Sequence, residues 1–97
     1  MAKKTINYRD ALIDSLQDPE EAVSYLNAAL EEDSCEAFLL ALRNVAESLG
    51  FSNISRKSNL SRESMYRMLS GKGNPKFSTL SALLRSLNLK LSVRVKE

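Results

Sequence analysis

Ser61 to Arg67 read Ser-Arg-Glu-Ser-Met-Tyr-Arg. On a helix this order puts Met65, then Met68 and Leu69, on an inner face, and Arg62, Glu63, Tyr66 and Arg67 on an outer one. Guanidinium groups bridge guanine O6 and N7, so Arg62 and Arg67 are candidates for reading base edges in a major groove. Ser61 and Ser64, small hydroxyls beside the free N–H groups of a helix start, suit a phosphate. Lys72, just past the helix, suits one as a point charge. Residues 51–76 hold six basic side chains and one acidic one, the electrostatics a polyanion requires. Two residues carry two readings each. Glu63 either accepts from a cytosine amino group or pairs with Arg67 one turn on. Tyr66 either packs or touches DNA.

These groups need an element that aims them. Residues 53–58 form a helix that Ser52 can cap, and Asn59 tolerates the left-handed backbone of a tight turn. Leu60 tucks inward and Ser61 caps a second helix, Arg62 to Ser70, which stops at Gly71. Lys72-Gly73-Asn74-Pro75 is a loop by composition. Helix, tight turn, helix is the arrangement that places the start of a second helix in the major groove. Ser52 and Asn53, at the start of the first helix, join the DNA-facing set. Such units act as two-fold dimers on half-sites about 34 Å apart.

The remaining chain supports this unit. Tyr8, Leu12 and Leu16 recur at helical spacing over residues 8–17. Asp18-Pro19-Glu20-Glu21 is a helix start with a cap and a capping-box-like Glu21. Residues 19–32 then put Ala22, Val23, Leu26, Ala29 and Leu30 on one face. Ser34 opens a third helix whose stripe is Phe38, Leu39, Leu42, Val45, Ala46 and Leu49, with Gly50 at its end. Ser78 opens a last helix with Leu80, Leu83, Leu84 and Leu87 inward, and Phe77 is assigned to the core. From Leu89 to Lys96 apolar and polar residues alternate, a strand pattern. A lone strand needs a partner for its backbone. The same strand of a second copy, antiparallel across a two-fold axis, would supply it through Leu91, Val93 and Val95.

The chain of 97 residues has 14 Lys and Arg, 12 Asp and Glu, one Cys and no His. The missing His and single Cys exclude the common zinc, haem and Cys-His sites and a Ser-His-Asp triad, so no metal or cofactor is expected. One thiol suits a reducing cytoplasm, and Cys35 is read as incidental. No apolar run is long enough for a membrane span, and no apolar segment follows the basic Met1–Thr5 stretch as a secretory signal would need. Ser70-Gly71-Lys72-Gly73 lacks the spacing and preceding strand of a phosphate-binding loop. The carboxylates Glu20, Glu21, Glu31, Glu32 and Asp33 sit at caps and solvated faces, so the chain is not read as an enzyme. Net charge is +2, but residues 1–50 carry four basic and ten acidic side chains and residues 51–97 ten basic and two acidic. The basic half suits nucleic acid, and the acidic half a basic protein partner or simple solubility.

Residues 54–89 resemble, without a gap, the helix-turn-helix of the Cro/phage-repressor (Xre-like) family. Ser61-Arg62, Arg67, Gly71-Lys72, Asn74-Pro75, Thr79-Leu80 and Leu87 are its landmarks. Ser55 departs from a usual Ala and Asn59 from a usual Gly. The likeness extends over about residues 14–96 to the HigA-like probable addiction-module antidote proteins. It is carried by Asp18-Pro19-Glu20, Tyr25-Leu26-Asn27, Ala29-Leu30-Glu31-Glu32, Phe38-Leu39-Leu40-Ala41-Leu42, Leu60 to Tyr66, and Gly73 to Leu80. The resemblance implies an all-α, lambda-repressor-like bundle. An acidic helical extension (1–33) would precede the helix-turn-helix domain (34–89), and a short C-terminal β-strand (90–97) would serve dimerisation, within one compact domain. It implies a cytoplasmic, nucleoid-associated bacterial autorepressor that binds double-stranded operator DNA as a homodimer and silences a basic toxin of the RelE/ParE/HigB type. Acid and apolar groups around Tyr8, Leu12, Leu16, Asp18, Glu21 and Tyr25 are the candidates for covering that toxin. The rival use of the C-terminal strand is pairing with the toxin's sheet edge. A stand-alone phage-type repressor and a pure protein-interaction antitoxin without DNA binding are the competing functions.

Overall fold

The computed structural model describes residues 8–97, so Met1–Thr5 and the first part of the acidic extension lie outside the described residues. The described chain is built from helices: α1 (Tyr8–Ser15), α2 (Pro19–Leu30), α3 (Cys35–Leu49), α4 (Phe51–Ser58), α5 (Arg62–Met68) and α6 (Phe77–Ser86). None of them is long and apolar enough to cross a membrane.

The starts of α2 and α3 follow from capping chemistry. Asp18 sits in extended backbone and its side chain accepts from the Glu20 N–H at 3.0 Å, with Pro19 in the first turn. The Ser34 hydroxyl accepts from the Ala37 N–H at 3.2 Å. These bonds satisfy donors that a helix start leaves free. Three residues separate the end of α2 from the Ser34 cap, and the last of them, Asp33, adopts a left-handed φ of 58°.

α3 occupies the centre. Phe38, Leu39, Ala41, Leu42, Val45 and Ala46 are buried, and α1, α2 and α4 all pack on it. Leu16, Ala22, Leu26 and Ala29 close one side, while Phe51, Ile54, Met65, Met68, Leu69, Leu83, Leu84 and Leu87 close the other, as one continuous cluster. α1 is held at its surface by polar contacts. Arg9 donates to Asn44 Oδ1 at 3.1 Å and pairs with Glu47 at 2.6 Å, while Asn44 Nδ2 donates to the Tyr25 hydroxyl at 2.8 Å. Three helices are thereby joined by one polar chain.

Several expectations need correction. Ser52 does not cap: α4 begins at Phe51 after Gly50, whose φ of 90° makes the sharp change of direction, so one glycine both ends α3 and opens α4. The last helix starts at Phe77 rather than Ser78, with no side-chain cap. Phe77 is 71% exposed, not core, because it points off the first turn of α6 away from the leucine stripe. Val23 and Leu30 lie at the margin of the α2 stripe and stay outside the core, Leu30 at 53% exposed. Within the chain, residues 90–97 form no strand, because no second extended segment among the described residues offers a ladder. Val93 and Val95 are 96% and 91% exposed.

Leu42 is fully enclosed. Leu42→Ala leaves a cavity that three flanking helices cannot all relax into, and is expected to cost about 2–5 kcal/mol in urea denaturation.

Candidate nucleic-acid interface

The interface begins with a turn. Asn59 ends α4 with φ 63° and ψ 27°, and its N–H bonds to the Ser55 carbonyl at 3.0 Å. The left-handed conformation costs most L-residues about 1–2 kcal/mol, and asparagine least among non-glycine types. The Ser55 hydroxyl donates to the carbonyl of Leu60, so it ties the last turn of α4 to the residue just before α5. It reaches forward rather than back along its own helix, because the turn brings the Leu60 carbonyl over it. The Ser58 hydroxyl accepts from the Leu60 N–H at 3.3 Å. Two serines and one asparagine thus fix the angle at which α5 leaves α4.

α5 is capped as expected. The Ser61 hydroxyl accepts from the Ser64 N–H at 3.0 Å and donates to the Ser64 hydroxyl at 2.9 Å. Met65 and Met68 face inward and are buried, while Arg62, Glu63, Tyr66 and Arg67 are exposed. Among the described residues no ion pair involves the charged side chains of α5. Glu63 therefore does not engage Arg67, and both arginines of α5 project without an acid partner. The helix ends at Met68, two residues earlier than Ser70, and Gly71 takes a φ of 92°. The Ser70 hydroxyl accepts from the Lys72 N–H at 3.3 Å, which orders the backbone that carries the exposed lysine. Gly73 lies so close to the end of α5 that a Cβ there would stand 2.3 Å from the Met68 carbonyl oxygen. No side chain fits, so the loop stays folded against the helix. Between them a hollow of 200 Å³ opens, lined by Ser64, Arg67, Asn74 and Thr79.

Tyr66 combines its two readings. Its ring centroid lies 4.7 Å from that of Phe51, tilted by 36°, and the Arg43 guanidinium stands 5.5 Å above it. The ring is packed, yet the residue remains 39% exposed. Arg43 belongs to α3 and was not among the sequence candidates. No local pattern marks it, since only the tertiary packing of α3 on α4 carries it to α5. Ser52 is exposed in the first turn of α4, and the half-buried Asn53 accepts from Arg56 at 3.3 Å. Ser52, Asn53, Ser61, Arg62, Glu63, Ser64, Tyr66 and Arg67 therefore belong to the α4–α5 pair, with Lys72 in the loop behind it.

The second candidate set divides. Tyr8, Asp18 and Glu21 are exposed. Leu16 is in the core at 2% exposure and offers nothing to a partner. Leu12 and Tyr25 are partly buried against the core, Tyr25 with its hydroxyl already bonded to Asn44. Leu91, Val93 and Val95 all lie on the exposed tail.

Arg62 and Arg67 thus stand exposed and without an acid partner on a capped helix that packs on the body through Met65 and Met68. Residues 7–95 match the family model described as "Probable addiction module antidote protein", and the chain belongs to that family. It is also 42% identical over 79 residues to an uncharacterized protein of Haemophilus influenzae (strain ATCC 51907 / DSM 11121 / KW20 / Rd), a match covering 81% of each chain. No solved structure matches it. The family gives the chain the role of an antitoxin-like protein and implies a toxin as its partner.

The stack around Tyr66 can be tested without any ligand. Tyr66→Phe keeps the ring against Phe51 and Arg43 and is expected to change stability by less than about 0.5 kcal/mol in urea denaturation. Phe51→Ala empties the stack and is expected to cost about 3–5 kcal/mol.

Proposed function

We propose that this protein is a DNA-binding antitoxin of the HigA-like, Xre type that represses its own operon and neutralises a basic toxin of the RelE/ParE/HigB class. The observation that supports DNA binding is the pair Arg62 and Arg67, outward and unpaired on a helix whose start is fixed by the Asn59 turn. In this reading Arg67 and Arg62 contact base edges in the major groove, Ser61 and Ser64 meet phosphate, and Lys72 adds a sequence-independent contact. Tyr66 presents its ring edge beside them. Ser52 and Asn53, at the opposite end of α4, approach the flanking backbone. Two copies related by a two-fold axis would place two α5 helices on half-sites about 34 Å apart. Leu91, Val93 and Val95 are the candidates for holding those copies together.

For the toxin, the exposed acidic and aromatic groups of α1 and α2 remain available: Tyr8, Asp14, Asp18 and Glu21. A toxin that acts on RNA or ribosomes carries positive charge, which these groups complement. α2 is part of the core, so the surface is best tested by point changes rather than by deleting residues 1–33.

In footprinting on the DNA upstream of its own gene, Arg67→Ala is expected to lose about 1–3 kcal/mol of binding and to relax specificity at one base pair. Lys72→Ala is expected to weaken all sequences evenly and to lower the salt dependence by about one counterion. An operator footprint unchanged by Arg67→Ala would remove α5 as the reading helix. Co-expressed with a basic toxin from the same operon, Tyr8→Ala with Glu21→Lys should fail to restore growth while keeping the footprint. Full rescue by that variant would remove the α1–α2 face from the toxin surface.

A further inference from the structure

An uncovered apolar groove of 360 Å³ lies where the α2–α3 corner meets the loop behind α5, with Leu30, Phe38, Leu39, Pro75 and Leu80 among its lining residues. Asp33 also lines it, and Glu31, Glu32 and Glu36 flank it along the chain, all exposed. Among the described residues none of these four carboxylates has a cation within ion-pair distance. The occupant this site calls for is extended, apolar on one side and basic on the other.

Residues 90–97 have that chemistry. Leu91, Val93 and Val95 alternate with Lys90, Arg94 and Lys96. The near end of the same surface already takes such residues. Leu89, Lys90 and Leu91 line a smaller furrow with Leu26, Leu30 and Phe38. Leu30 and Phe38 are common to furrow and groove, so the tail leaves the body beside the groove it would fit. Further along, Glu31 shares a hollow of 810 Å³ with Arg94 and Lys96 of its own tail. Yet Val93 and Val95 find no cover within the chain.

We infer that the tail of one copy docks in the groove of a second, apolar residues on the floor and Arg94 and Lys96 against the acidic rim, so that the dimer is made by reciprocal tail exchange. This rests on the dimeric reading above and replaces strand-to-strand pairing as its mechanism. Because tail exit and groove adjoin, a two-fold axis at this corner serves both halves of the exchange at once. Eight extended residues at about 3.3 Å each reach far enough to cross it. The groove also borders Gly73, Asn74 and Pro75, directly behind α5. Assembly there orders the loop that follows each recognition helix.

The native thiol supplies the test, since Cys35 is exposed and lines the groove. Full-length Val95→Cys, oxidised with copper phenanthroline, is expected to run as a covalent dimer on a non-reducing gel, whereas Val95→Cys with Cys35→Ser runs as a single chain. Sedimentation of the unmodified protein should give twice the chain mass, and Val93→Asp should halve it. Val93 is fully solvated in the isolated chain, so this change leaves the core intact. Covalent dimers that persist without Cys35 would show tails paired with each other, overturning the groove while sparing the dimer. A disulfide closed within one chain would place the tail in its own groove and overturn the exchange. An unmodified protein that sediments as a single chain would remove the dimer itself, and the inference with it.

Discussion

Leu42, Val45 and Ala46 have almost no contact with solvent, and every other helix arrangement depends on that enclosure. A 15-residue helix buried along much of its length cannot be covered by one neighbour. α2 takes one flank, α1 lies across another, and α4 takes a third. α4 then carries α5, and α6 closes beneath α4. The position of the arginines on α5 is therefore set by apolar packing several residues removed from them. A helix of seven residues is too short to persist alone. Its geometry is borrowed from α3 through α4.

The sequence revealed what local rules control. Asp18-Pro19, Ser34, Asn59 and Ser61 announce their roles because a cap or a left-handed turn is a property of a few adjacent residues. The leucine and alanine stripes identified most of the core by period alone. Legibility failed where tertiary packing decides. Phe77 reads as core by type, but its place on the first turn of α6 faces solvent. Leu16 reads as one member of an exposed apolar face and is the residue of that set driven deepest. Arg43 had no local signal, since its partner Tyr66 belongs to a different helix. The alternation from Leu89 to Lys96 was legible as an extended segment, but a ladder requires a second segment that none of the described residues supplies.

The charge asymmetry acquires a spatial meaning. Acid gathers at the α2–α3 corner and along α1–α2, while unpaired cations gather on α5 and its following loop. The Glu36 side chain approaches the position of Gly71, its Cγ 3.1 Å from where a Cβ would stand, so the two regions adjoin at that point. No ion pair joins Glu36 to the cations of α5 and its following loop. A partner bound to the acidic side changes the potential at the basic side over a distance comparable with the Debye length of about 8–10 Å.

α1 has no fully buried residue; Leu12 packs partly on the core, and Arg9 ties the helix to Asn44 and Glu47 at the surface. Solvent-exposed polar ties of this kind contribute about 1 kcal/mol or less each. Detaching α1 as far as Leu16 therefore takes far less free energy than opening the core. Its amides should exchange with deuterium by a local event, well ahead of those in α3. In that partly open form Asn44 loses its Arg9 donor but keeps its bond to Tyr25, so α1 alone behaves as a hinged flap over an otherwise intact bundle.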